Sequence, residues 1–139
     1  MITVTFWLLT LFTCGFATLC GGRDGRMFAI FLIVSVLLTI PAWLAGSWQG
    51  TQIWLLMVDG LFFVSLVWLM LRSPSYWPIW AAASQMMTVL THVVTLIIET
   101  FSDRIYEGLS TVWVIPLLLF TLIGIEQDRK HSHDRPYPA

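Results

Sequence analysis

The run Thr51–Leu71, TQIWLLMVDGLFFVSLVWLML, decides the fold class. It holds one ionisable side chain, Asp59, among 21 residues. At about 1.5 Å of rise per residue, such a helix covers about 30 Å, the thickness of a bilayer's hydrocarbon core. Four further runs extend the pattern on either side: Ile2–Cys20, Met27–Ala45, Trp77–Ile98 and Leu109–Ile125. The breaks between them are turn-like at GGRDG (21–25), GSWQG (46–50) and RSPS (72–75), and charged and longer over 99–108. The reading is an all-α polytopic membrane bundle of five transmembrane helices. Residues 1–128 make the bundle, and 129–139 form a polar, proline-bearing tail expected to be flexible. The fifth run, about 17 residues long, is the shortest for a span. A four-span chain with a buried or re-entrant fifth segment is the alternative.

Composition agrees with lipid as the main surroundings. Of the 139 residues 58% are hydrophobic and 11% charged, with mean hydropathy +0.81. A soluble domain carries about 25% charged residues because its surface must face water. The net charge of −1 and the dispersed basic residues leave no phosphate-tracking surface, so nucleic acid is excluded as a partner. Cys14 and Cys20 fall on nearly opposite helical faces, which suits two separate thiols and neither a disulfide nor a shared metal. No Lys or Arg precedes Arg23, so Ile2–Cys20 lacks the basic start of a secretory signal and reads as a retained first helix.

Charge sets the expected orientation. Arg23 and Arg26 lie in the first break, Arg72 in the third, and Arg129, Lys130 and Arg135 in the tail. With five spans these share one side, against Arg104 alone on the other. The positive-inside rule places the six in the cytoplasm and the N-terminus outside. Trp48, Trp54, Tyr76, Trp77 and Trp113 lie near span ends, where such rings prefer the headgroup region. Pro41 and Pro116 lie within spans and are expected to kink them.

Asp59 stands about 13 Å below the outer end of its helix, near the bilayer midplane. A carboxylate there costs about 2.5–3.5 kcal/mol on insertion scales, so it needs a partner or a proton. The fourth run supplies one. Gln85, Thr88, His92, Thr95 and Glu99 follow a 3-4-3-4 spacing that aligns them on one helical face, flanked by Ser84 and Thr91. His92 comes to a depth similar to that of Asp59, so an Asp59–His92 pair is expected, with Glu99 and the threonines extending a polar line outward. Such a line suits either a proton or ion path or interhelical hydrogen bonds that pin helices together. Ala81, Ala82, Ala83 and Ser84, with Gly60 beside Asp59, are small residues expected to allow close helix approach.

The sequence contains no HExxH, GxSxG, CxxC or phosphate-binding glycine loop. His92 is the one histidine within a span, so a bis-histidine haem cannot form in one chain. His131, His133 and Asp134 read as incidental tail residues rather than metal ligands. No cofactor, metal or catalytic residue is expected. The residues Tyr76-Trp77-Pro78-Ile79-Trp80, then Gln85 and Thr88 to His92, resemble small uncharacterised multi-span inner-membrane proteins of alphaproteobacteria. The likeness covers about a third of the chain and implies a bacterial inner-membrane address, with no activity to transfer.

The first functional expectation is a small non-catalytic accessory subunit. It would pack against a membrane-protein partner, or a second copy of itself, through the third and fourth helices. One alternative is a small proton- or ion-coupled transporter or channel using Asp59 and His92. Another is a quinone- or lipid-binding module or enzyme, with Glu99, Asp103 and Glu107 near the outer surface.

Overall fold

The computed structural model describes residues 2–44, 48–98 and 103–133, and the side chains of 7–41, 51–98 and 112–131. Among the described residues there are five helices and no strand: α1 (Ile2–Cys20), α2 (Gly22–Leu44), α3 (Trp48–Arg72), α4 (Trp77–Ile97) and α5 (Asp103–His133). Gly22–Pro41, Thr51–Arg72 and Trp77–Ile97 are each long and apolar enough to cross a membrane, and Trp7–Cys20 is a shorter apolar stretch. Their outward faces carry large apolar side chains such as Leu8, Leu37, Met57, Leu61 and Leu90, more than half exposed in each case. These helices and so wide an apolar coat mark the chain as a membrane protein.

Each helix packs on the next in sequence, and α1 closes onto α5, so the five form a ring. Contacts near the helix ends establish directions. Ser73, just beyond α3, donates its hydroxyl to Asp24 in the first turn of α2 at 2.5 Å. Gly124 near the end of α5 lies against Trp77, which starts α4. Successive helices therefore run antiparallel. In a closed ring with an odd number of alternating helices, one adjacent pair must be parallel. That pair is α1 and α5, and the carboxyl end of α1 meets Ile125 there. The same geometry gathers Arg23, Arg26, Arg72, Arg129 and Lys130 at one end of the ring.

The helix limits differ most from the hydropathy limits in α2 and α5. The first break is not a five-residue turn. Gly21 and Gly22 alone reverse the chain, Gly22 with φ +56°, and α2 is already helical through Arg23, Asp24 and Arg26. At the other extreme, α5 begins at Asp103 and continues to His133, so the first part of the expected flexible tail is helical. Hydropathy marks where lipid ends, whereas a helix satisfies its own backbone in water as well. Arg129 and Lys130 extend it by pairing with Glu126 at 3.0 and 3.7 Å, at i+3 and i+4 spacings. Helix α2 runs through Pro41 and α5 through Pro116. Pro41 removes the N–H that would serve the Leu37 carbonyl, and at the adjacent carbonyl of Leu38 the Trp54 indole of α3 donates at 2.7 Å.

Close helix approach occurs at glycines other than the one anticipated. A Cβ added at Gly60 would meet nothing within 4 Å, so Gly60 is not a packing contact. Ala81, Ala82 and Ser84 are buried, but Ala83 faces outward. The tight points are Gly21 and Gly25, where a Cβ on either would meet the Ala17 carbonyl of α1, and Gly124, where a Cβ would overlap the Cβ and Cγ of Trp77. Trp77 in turn packs edge-on against Phe28 at 5.6 Å, and Phe28 contacts Phe62 at 6.1 Å. These rings join α2, α3 and α4 at the basic end.

Gly124→Ala is expected to lower stability by about 1–3 kcal/mol, the range for overpacking a close contact. Gly60→Ala is expected to be neutral or to stabilise by up to about 1 kcal/mol, because it relieves helical backbone entropy in open space. Thermal or denaturant unfolding in detergent measures both, and equal effects of the two substitutions would refute the packing assignment.

Candidate functional site

The polar face of α4 points into the ring. Ser84, Gln85, Thr88, Thr91, His92 and Thr95 are all buried, whereas Met86, Met87, Leu90, Val93 and Val94 between them are exposed. The helical period alone produces this division, since polar positions recur every three or four residues and the intervening ones turn outward. Small hydroxyl residues also let α4 sit close to α3 and α5, its two most extensively packed neighbours.

Asp59 on α3 meets this face directly. Its Oδ2 lies 2.7 Å from His92 Nε2, and its Oδ1 accepts a hydrogen bond from Gln85 Nε2 at 2.9 Å. The Gln85 amide also reaches the Asp59 backbone carbonyl at 3.3 Å. Gln85 and His92 are seven residues apart, two helical turns, so they grip the carboxylate from both sides. Gln85 and His92 are 2% and 3% exposed, whereas the Asp59 side chain keeps 23% exposure. The carboxyl group thus accepts from Gln85 at Oδ1 and is hydrogen-bonded to the imidazole at Oδ2. The 2.7 Å approach of Oδ2 to Nε2 needs one proton between the two atoms, because a carboxylate oxygen and a bare imidazole nitrogen are both acceptors.

The structure brings together three of the expected site residues, Asp59, His92 and Gln85, in one hydrogen-bonded cluster. Thr95 is buried on the same face, but its hydroxyl is directed to the Thr91 carbonyl at 2.7 Å rather than to Asp59. Thr88 is buried between Gln85 and His92 in sequence, and among the described residues its Oγ1 has no hydrogen-bond partner. An unsatisfied buried hydroxyl costs about 1–3 kcal/mol, so it is an anomaly among its neighbours. Glu99 lies outside the described residues, as do the side chains of Asp103 and Glu107.

Other interior polar residues escaped the reading of the sequence. Gln52 is 7% exposed and stands seven residues before Asp59, hence on the same face of α3. That spacing was the available signal. Thr10 and Thr13 of α1 and Thr121 of α5 are also buried. Thr13 and Thr121 return their hydroxyls to carbonyls one turn earlier, Leu9 at 2.8 Å and Leu117 at 2.9 Å. Threonine is common in membrane helices, and nothing in the local sequence says which faces inward. Among the described residues no group of three His, Cys, Asp or Glu side chains could hold a metal ion.

A double-mutant cycle on Asp59→Asn and His92→Ala is expected to give a coupling energy of about 0.6–1.7 kcal/mol, the range for polar contacts between membrane helices. Unfolding in mixed micelles measures it, and strict additivity would remove the pair from the structure's energetics. No protein-family pattern matches the chain, and no curated protein or solved structure shows significant similarity to it.

Proposed function

We propose that the chain is a five-span protein of a bacterial inner membrane, with the N-terminus outside and the C-terminus in the cytoplasm, working as a small proton-coupled transporter or channel through Asp59 and His92. The observation that carries the functional part is the 2.7 Å Asp59–His92 contact, clamped by Gln85 inside the ring. Ionisable groups are costly at such depth and mark proton or ion routes in membrane bundles. The orientation rests on the gathering of five basic side chains at one end, which the positive-inside rule assigns to the cytoplasm. The inner-membrane address also draws on the resemblance in the Tyr76–Trp80 region.

The other reading is an accessory subunit in a larger membrane complex. It draws on the chain's small size, its lack of catalytic motifs and its few polar loops, with α3 and α4 as the packing surface. Asp59, Gln85, His92, Ala81, Ala82 and Ser84 are instead used within the chain's own ring, so a partner would have to dock on the outer apolar face. This is why the proton-binding reading takes precedence.

Proteoliposomes loaded with a pH-sensitive dye test the activity. The wild-type protein is expected to carry proton flux above that of empty vesicles, and Asp59→Asn or His92→Ala to abolish it. Flux equal to that of empty vesicles would defeat the reading, and chains co-purifying from the native membrane would then define a subunit role. Orientation is tested separately in a chain carrying Cys14→Ala and Cys20→Ala. A membrane-impermeant thiol reagent applied to spheroplasts is expected to label Gln49→Cys and to spare Gln127→Cys until the membrane is permeabilised. The reverse pattern would invert the topology.

A further inference from the structure

Seven hydroxyl side chains are buried among the described residues: Thr10, Thr13, Ser84, Thr88, Thr91, Thr95 and Thr121. Five of them, Thr13, Ser84, Thr91, Thr95 and Thr121, donate to the carbonyl four residues earlier at 2.7–3.0 Å. Thr10 also has a partner. Thr88 is the exception, 2% exposed with an unbonded Oγ1. It follows Gln85 by three residues and precedes His92 by four, one helical turn from each, so it shares the face that holds the Asp59 carboxylate. The Asp59 side chain is 23% exposed, so a water-sized sphere still reaches part of it.

We propose that the Thr88 hydroxyl holds a water molecule inside the bundle, beside the Asp59–His92 pair. Water is the ligand the chemistry selects. Thr88 offers one O–H donor and two lone pairs, and Asp59 and His92 lie on the adjoining face, which matches the two to four partners a buried water needs. A metal ion is a poorer match, because no group of three His, Cys, Asp or Glu side chains converges among the described residues. In a proton-binding pair such a water has a defined part to play. It accepts an excess proton, passes one to the Asp59–His92 pair, and remains as water. No bond between heavy atoms is made or broken. The functional significance of the water rests on the proton-binding reading; its presence does not.

Solid-state NMR in nanodiscs tests the site, using a chain with His131→Gln and His133→Gln so that His92 is the remaining imidazole. The wild-type side chains are expected to give a water cross-peak to the His92 ring. Thr88→Val, which keeps the shape and removes the hydroxyl, is expected to lose it, and Thr88→Ser to retain it. Thr91→Val removes a hydroxyl already bonded to Met87 and is expected to leave the peak unchanged. If Thr88→Val fails to fold, Thr88→Ala takes its place. No cross-peak in the unsubstituted site, a peak that persists without the Thr88 hydroxyl, or equal loss in Thr91→Val would each overturn the proposal. A Thr88-dependent cross-peak in a protein that carries no proton flux supports the water site and refutes the transport reading alone.

Discussion

A carboxylate in an apolar bundle must find its hydrogen bonds within the protein, and the arrangement around Asp59 follows from that constraint. Lipid tails offer neither donors nor a high dielectric, so the polar face of α4 has to be brought to α3. Gln85 and His92 satisfy one carboxylate oxygen each. Once that contact is made, the rotation of both helices is set. The exposed and buried sides of α4 are then fixed by its period, and the methionines and valines between the polar positions turn to lipid.

Association of the helices needs a second source of energy, because lipid is as apolar as leucine and gives no hydrophobic drive toward packing. Close van der Waals contact supplies it. Gly25 against α1 and Gly124 against Trp77 bring backbones together at the basic end, and the Phe28–Phe62–Trp77 cluster fills the space among α2, α3 and α4. The level of Asp59 is held by polar contacts and one end of the ring by small residues and aromatic rings.

Much of this was legible from residue order. The 3-4-3 spacing of Gln85, Thr88, His92 and Thr95 has one geometric meaning on a helix, and a short Arg72–Ser75 connection places α4 beside α3 in antiparallel. Other features were hidden for physical reasons. Gly60 and Gly124 are indistinguishable as residues, yet one faces open space and the other a tryptophan, because a glycine's value depends on what another helix brings to it. Ala83 belongs to the same small-residue run as Ala81 and Ala82 but falls on the outward side of the turn. The helical extension of α5 to His133 was masked by its polarity, since hydropathy measures solvent preference and not backbone conformation.

The sequence by itself determined the class of the molecule, an all-helical membrane protein, and the composition of its polar stripe. Those follow from local quantities: transfer free energy summed over a segment, and the angle per residue of a helix. Tertiary structure alone decided that α1 closes the ring against α5 in parallel, that Gly21, Gly25 and Gly124 are tight contacts, and that Thr88 is left unbonded among the described residues. Each depends on the distance between atoms far apart in the chain, which no single segment contains.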